Sequence, residues 1–309
     1  MSEVFDKFID YLTVERNASP YTIRNYRADL QGFFSFLGKQ NIDSLDEVTK
    51  NTLRDYLWQL MEQGFARSSI ARKLSAVRSL YRYLQREEFI STSPAAIISS
   101  PKLDRRLPSF LGQEEATALV EAPDTATSTG LRDRALLELL YASGLRVSEL
   151  AGLNIDNINR ETREIRVWGK GFKERMVLMG KPAANALMEY IEKGRPLLMQ
   201  NENTNAVFLN HNGGRLTVRS IQSIVHNYAD NTGLDKRVHP HMVRHTFATH
   251  LLNGGADLRV VQELLGHASL NSTQIYTHVS KAQAKKVYLA AHPLARENNT
   301  EQDISNGTG

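Results

Sequence analysis

The chain has 309 residues, 41% hydrophobic and 23% charged, which suits about two globular domains and is too apolar for a disordered chain. No run of about 18 apolar residues is present to span a bilayer, and the opening MSEVFDKFID lacks the basic and apolar regions of a signal peptide, so a cytoplasmic location is expected. Cysteine is absent, which excludes disulfides, thiolate nucleophiles and Cys-ligated metals, while 38 basic against 34 acidic residues permit a nucleic-acid partner without demanding one.

The first part reads as four helices. Val4, Phe5, Phe8, Ile9 and Leu12 form the first apolar stripe. Ser19-Pro20 is an N-cap followed by proline, after which Ile23, Tyr26, Leu30, Phe33 and Leu37 repeat at helical spacing until Gly38 is expected to stop the helix. Thr49 caps a third helix bearing Leu53, Tyr56, Leu57 and Leu60, closed by Gly64. The fourth runs from Arg67 to Arg86 and carries Arg67, Arg72, Lys73, Arg78, Arg82 and Arg86 with no acid. Ile70, Leu74, Val77, Tyr81 and Leu84 form its packing face. A helix this cationic repels itself unless an anion lies against it. A solvated basic face and a helix docked on a phosphate backbone both fit, and the six cations are the candidate DNA-binding residues.

Periodicity fails between Phe89 and Leu111, where three prolines and many serines predict an extended linker. The expected boundaries are a helical domain at 1–89, a linker at 90–109, a second domain at 110–295 and a polar, disordered tail at 296–309. The second domain reads as mostly helical: Gln113–Glu121, Thr129–Ser143 ended by Gly144, Ser148–Leu153, further helices from Pro182, then Val218–Thr232, Pro240–Asn253, Leu258–Leu265, Asn271–Thr277 and Ala282–Ala291. Its β content is a hairpin of Glu164–Trp168 and Glu174–Met179 around Gly169-Lys170-Gly171-Phe172, with Ile165 and Val167 on one face, and a short strand at Val207–Asn210.

Reactive side chains gather in four segments. Arg146 follows the helix-stopping Gly144 and precedes a new helix, a corner where its planar fork suits phosphate oxygens; a salt bridge to Glu149 explains it equally well. Lys170 sits in a glycine-framed turn, as a substrate-reaching or merely exposed lysine. His241 and Arg244 are three apart and share a helix face, suiting proton transfer and anion binding or a buried hydrogen-bonded pair. His267 follows Gly266, and Tyr276 lies nine residues on. With no cysteine, Tyr276 is the candidate nucleophile of this neighbourhood, although an ordinary tyrosine there would be core. Five histidines lie between His239 and His267, but Met242 occupies the position where a His-Glu-x-x-His zinc motif needs glutamate, so no metal site is expected.

Taken in order, Arg146, Lys170, His241-x-x-Arg244, His267 and Tyr276 resemble the catalytic signature of the tyrosine recombinases, or phage integrase family. The words GLRVSEL, GKGFKER, HPHMVRHTFATHLL, VQELLGHASL and TQIYTH carry the resemblance, which runs from about residue 3 to 295 and is strongest to the Xer branch; VYLAAHPLA leans toward the XerC type over the XerD type. No signature position departs from the pattern, and Gly112 replaces a threonine only at a helix cap. The resemblance implies a mainly α fold, with an N-terminal SAM-like core-binding bundle and a mostly α catalytic domain holding a small antiparallel sheet. It implies that Tyr276 attacks a phosphodiester to form a 3′-phosphotyrosine, that Arg146 and Arg244 clamp the non-bridging oxygens, and that Lys170 protonates the leaving 5′ oxygen. His241 and His267 would assist proton transfer, and Glu149 would orient its neighbours. No cofactor is expected. The implied partners are duplex DNA at a dif-like site, a recombinase tetramer with a possible second Xer recombinase, and an FtsK-like translocase, with the last helix docking on a neighbouring protomer. A mobile-element integrase, a plasmid resolvase and a non-catalytic DNA-binding module are the alternatives.

Overall fold

The computed structural model describes residues 2–101, 109–168, 174–200, 204–234, 237–266 and 281–294. The chain forms two compact units, residues 1–107 and 108–309.

The first unit is built from α1 (Ser2–Val14), α2 (Pro20–Lys39), α3 (Lys50–Glu62) and α4 (Arg67–Arg86). Its core is aromatic as well as aliphatic: Phe8, Phe33, Tyr56 and Tyr81 are each almost fully buried with Leu30, Leu74 and Leu80. Ser19 caps α2 through the Thr22 N–H, and Thr49 and Thr52 form a reciprocal capping box at α3. Gly38 does not end α2. The helix continues to Lys39, and the left-handed turn falls at Asn41, φ 54°, a residue type that tolerates it.

The expected linker is only partly a linker. Residues Pro94–Ala96 form a 3₁₀ turn, and Ala95 and Ile98 are buried in the first unit's core. Arg78 of α4 holds this segment: its Nε donates to the Ala95 carbonyl (3.2 Å), Nη1 to the Ser100 hydroxyl (2.7 Å) and Nη2 to the Ile98 carbonyl. Replacing Arg78 with alanine removes three charge-assisted bonds. The expected result is a loss of about 2 kcal/mol and several-fold faster limited proteolysis between residues 90 and 101, read on the full chain.

The second unit wraps α6 (Ser128–Ser143), which is buried on nearly every side. Around it stand α5 (Gln113–Glu121), α7 (Val147–Ala151), α8 (Lys181–Glu189) continuing through a π-helical turn into α9 (Arg195–Leu198), α10 (Val218–Asn231), α11 (Pro240–Asn253), α12 (Leu258–Leu265) and α13 (Lys281–Ala291). A three-stranded antiparallel sheet, β1 (Ile158–Asn159), β2 (Glu164–Trp168) and β3 (Glu174–Leu178), lies in that order. Its register pairs Ile165 with Val177 and Val167 with Arg175. Directly paired residues share a face, so Arg175 stands on the same side as the buried Ile165, Val167 and Val177.

One further expectation is corrected. Val207–Asn210 is not a strand: only Ala206 and Leu209 make isolated bridges, to Asn154 and Arg215. The segment is instead a buried turn whose N–H groups find the Leu153 and Gly214 carbonyls. The last helix packs on its own chain. Tyr288 of α13 is buried against Phe247 of α11 and donates to the Ala142 carbonyl (2.9 Å). Gly254 permits this approach, since a Cβ there would lie 2.2 Å from the Ala291 carbonyl oxygen. The expected helix at 271–277 and the tail at 296–309 lie outside the described residues.

Candidate active site

Two left-handed glycines shape the site. Gly144 (φ 57°) ends α6 and Gly266 (φ 66°) ends α12. A Cβ on Gly144 would lie 2.4 Å from the Phe247 ring, so only glycine lets α6 end this close to α11. The chain then turns into α7, which starts after Arg146.

Glu149 is the centre of the arrangement and is nearly buried. Its Oε1 accepts from Arg146 Nη1 (2.8 Å) and Arg175 Nη1 (2.6 Å). Its Oε2 accepts from the Arg146 backbone N–H (2.8 Å) and Arg175 Nη2 (2.9 Å). Burial pushes this carboxyl up, but the hydrogen bonds from Arg175 and Arg146 outweigh it and the group titrates below its ordinary value. Arg146 Nη2 also reaches the Gly266 carbonyl (3.3 Å).

Arg244, from α11, comes in from the other side. It is 9% exposed and donates to the Gly144 carbonyl and, at 2.6 Å, to the Leu265 carbonyl. The same arginine therefore ties together the two chain turns that flank the site. Burial lowers its pKa to about 10, helped by the neighbouring Arg146 and Arg175 and opposed by Glu149. Three guanidiniums face one carboxylate, so the cluster is cationic and suited to a further anion.

His241 lies one turn before Arg244 and is exposed; its ring is 6.4 Å from that of His239. His239, not His241, caps α11, its Nδ1 accepting the Met242 N–H (3.1 Å). Lys170, which precedes β3 in the chain, and His267 and Tyr276, which follow α12, lie outside the described residues. His250 is buried and bonded to the Tyr141 hydroxyl (2.7 Å), and among the described residues no cluster of His, Asp and Glu could hold a metal ion.

Arg175 is the residue that sequence reasoning missed. Alternation from Ile165 and Val167 carried across the hairpin would have put it on the inward face, but that needs the register, which the glycine-rich turn does not declare. The basic helix has internal partners that its sequence does not show. Arg72 and Lys73 both pair with Asp29 of α2, a buried carboxylate, Lys73 at 3.3 Å. Arg86 pairs with Glu15 (3.1 Å) and Glu87 (2.7 Å) and stacks over Tyr11. Arg78 holds the linker and Arg82 Nε reaches the Arg78 carbonyl at 3.4 Å. Arg67 opens the helix. Much of the anion that this face demands is thus internal, although Arg72 and Arg86 remain about half exposed.

Comparison with known proteins identifies the family of both units. The profile described as "Phage integrase family" matches residues 109–283, and that of "Phage integrase, N-terminal SAM-like domain" matches residues 5–88. The chain belongs to the phage integrase family. As a tyrosine recombinase it is a site-specific DNA strand-exchange enzyme, and its likeness is to the XerC type. It is 48% identical over 300 residues to "Tyrosine recombinase XerC" of Pelotomaculum thermopropionicum, covering 94% of this chain and 98% of that one. The Bacillus subtilis protein of the same name is 44% identical over 294 residues, covering 94% and 97%. Among solved structures, XerH site-specific recombinase bound to palindromic difH substrate, a post-cleavage complex, superposes with TM-score 0.68 at 27% identity, covering 89% of this recombinase and 81% of that chain. Among the described residues of the recombinase, no helix is long and apolar enough to cross a membrane.

Proposed function

We propose that this recombinase acts in the cytoplasm at a dif-like site, resolving chromosome dimers within a tetramer that can include a second Xer recombinase and responds to an FtsK-like translocase. Whole-length likeness to XerC relatives, and the likeness to XerH on its difH substrate, support this reading over a mobile-element integrase or plasmid resolvase. The observation that carries the chemistry is the cluster in which Glu149 fixes Arg146 while Arg244 stands on the Gly144 and Leu265 carbonyls.

In this reading Arg146 and Arg244 hold the two non-bridging oxygens of the scissile phosphate. Charge grows on those oxygens as Tyr276 attacks, so donors already in place lower the barrier. The Tyr276 oxygen forms the new bond to phosphorus and its proton leaves to a nearby base. The bond from phosphorus to the 5′ oxygen breaks, and Lys170 delivers the proton that oxygen needs. His241 and His267 hydrogen-bond the phosphate and assist these transfers. The 3′-phosphotyrosine conserves the phosphodiester, and a 5′ hydroxyl from the partner strand reverses the step. Its exposure leaves His241 available to substrate. α4 carries the cations proposed to meet the DNA backbone in the first unit, with Arg72 and Arg86 doubling as partners of internal carboxylates.

A nicked suicide duplex carrying the dif-like site is expected to trap a covalent adduct with the full chain, resolved on a denaturing gel, and Tyr276→Phe to trap none. Tight binding without an adduct from the unaltered chain would instead identify a non-catalytic DNA-binding module. An adduct on a transposon or plasmid end but not on the dif-like site would favour the mobile-element reading.

A further inference from the structure

Arg175 lies outside the catalytic set assigned above, yet it is the guanidinium most firmly committed to Glu149. Its two terminal nitrogens meet both carboxylate oxygens, a fork-on-fork pair at 2.6 and 2.9 Å. Arg146 is left with one side-chain bond to the same carboxylate. The rest of the Arg175 side chain is clamped without being bonded: its buried Nε has no hydrogen-bond partner among the described residues. A Cβ on Gly266 would lie 2.7 Å from its Cδ and 2.8 Å from its Nε. Glycine at 266 therefore leaves the space that Arg175 fills, and the inward register of β3 aims it there.

We propose that Arg175 is a positioning residue for DNA cleavage, occupying the Glu149 carboxylate so that Arg146 cannot close on it as a two-point pair and keeps donors facing the phosphate. An arginine beside an otherwise unoccupied carboxylate pairs with both oxygens and neutralises itself. Here Arg175 takes one acceptor direction on each oxygen, and the Arg146 backbone N–H takes another on Oε2. Arg146, the more exposed of the two arginines at 35% against 15%, is thereby held at the open side. Arg175 also joins β3, which follows Lys170 in the chain, to the helix corner that carries Arg146. The inference rests on the cleavage reading above and adds to it a residue that acts through Glu149 on Arg146.

The test uses the full chain on the nicked suicide duplex, with binding read by gel shift and cleavage by the single-turnover rate at saturating protein. Arg175→Ala is expected to lower the cleavage rate about thirtyfold while binding changes less than about threefold. Arg175→Lys, which keeps the charge but not the fork, is expected to recover part of the rate. Combining Arg175→Ala with Glu149→Gln is expected to fall no further than the worse single variant, because both act through one contact. Thermal melts of each variant separate these effects from unfolding. Multiplying penalties in the double variant, or binding and cleavage falling together in Arg175→Lys as well as Arg175→Ala, would overturn the proposal. So would an Arg175→Ala rate equal to that of the unaltered chain. If the unaltered chain forms no adduct, the cleavage reading fails and this inference with it.

Discussion

Arg244→Ala is expected to reduce covalent cleavage about a thousandfold, and Arg244→Lys about a hundredfold, with DNA affinity reduced far less in both. Removing one preorganised donor to a developing oxyanion typically lowers the rate by about a hundred- to a thousandfold. Arg244 has a second task that makes the alanine variant worse. It donates to the carbonyls at the ends of α6 and α12, and without it two buried acceptors lose a charged partner. That deficit costs about 1–3 kcal/mol for each group left unpaired. A lysine can satisfy one carbonyl and keep a positive charge, but it cannot bridge both carbonyls and face a phosphate with the remaining donors. At a pKa of about 10 the native guanidinium remains protonated at neutral pH, so its charge does not gate the reaction there. Single-turnover trapping, gel shift and a thermal melt on the same preparations separate the effects. Cleavage by Arg244→Lys within a few-fold of the unaltered chain would remove Arg244 from the phosphate site.

What could be read from the sequence divides along a physical line. Local signals held well, the Gly38 stop excepted. The Ser19 and Thr49 caps, the glycine stop at 144, and the apolar stripe of α4 depend on residues a few positions apart, and the elements formed where those signals stand. The order of signature words also placed the chain in its family. Partners that lie far apart in the chain were not legible. α4 looked like a surface awaiting an external anion because Asp29, its internal one, lies 43 residues before Arg72. Arg78 looked like one more cation, whereas its partners are carbonyls of a proline-rich stretch with no periodicity of its own. Glu149 looked like an accessory to Arg146 because the competing Arg175 arrives through a strand register. α13 illustrates a different limit. Its apolar residues announce a buried face but say nothing of whether the cover belongs to the same chain, and here α11 supplies it.

Acid is expected to weaken the docking of α13 well before it protonates most carboxylates, and His292 is the reason. The ring is fully buried between Tyr141, Phe247 and Tyr288. Its Nε2 faces the Tyr141 carbonyl (3.3 Å) and its Nδ1 faces the Leu294 N–H (3.3 Å), a pairing that the neutral ring satisfies. Burial, with His250 adding to it, lowers the pKa to about 3 from an ordinary value of 6.5. Between those values the unfolded chain binds a proton that the folded chain does not. The stability from this group is therefore complete above pH 6.5 and is lost as pH falls toward 3. At pH 4 the loss is about 3 kcal/mol relative to neutral pH. Asp133 and Glu138 act in the opposite sense, since burial raises both and folding favours their protonated forms as pH falls. A melt of the unaltered chain reports the sum, and comparison with His292→Gln isolates the histidine. The glutamine variant is expected to be less stable at pH 7.5 but to lose less on acidification to pH 5. A parallel decline in both proteins would show that His292 does not titrate across the unfolding transition. The effect should reach the site as well. Tyr288 on α13 bonds the Ala142 carbonyl, two residues before the Gly144 carbonyl that holds Arg244. Loosening α13 therefore releases the α6 terminus on which that arginine stands, and cleavage should fall over the same pH range as the melting temperature.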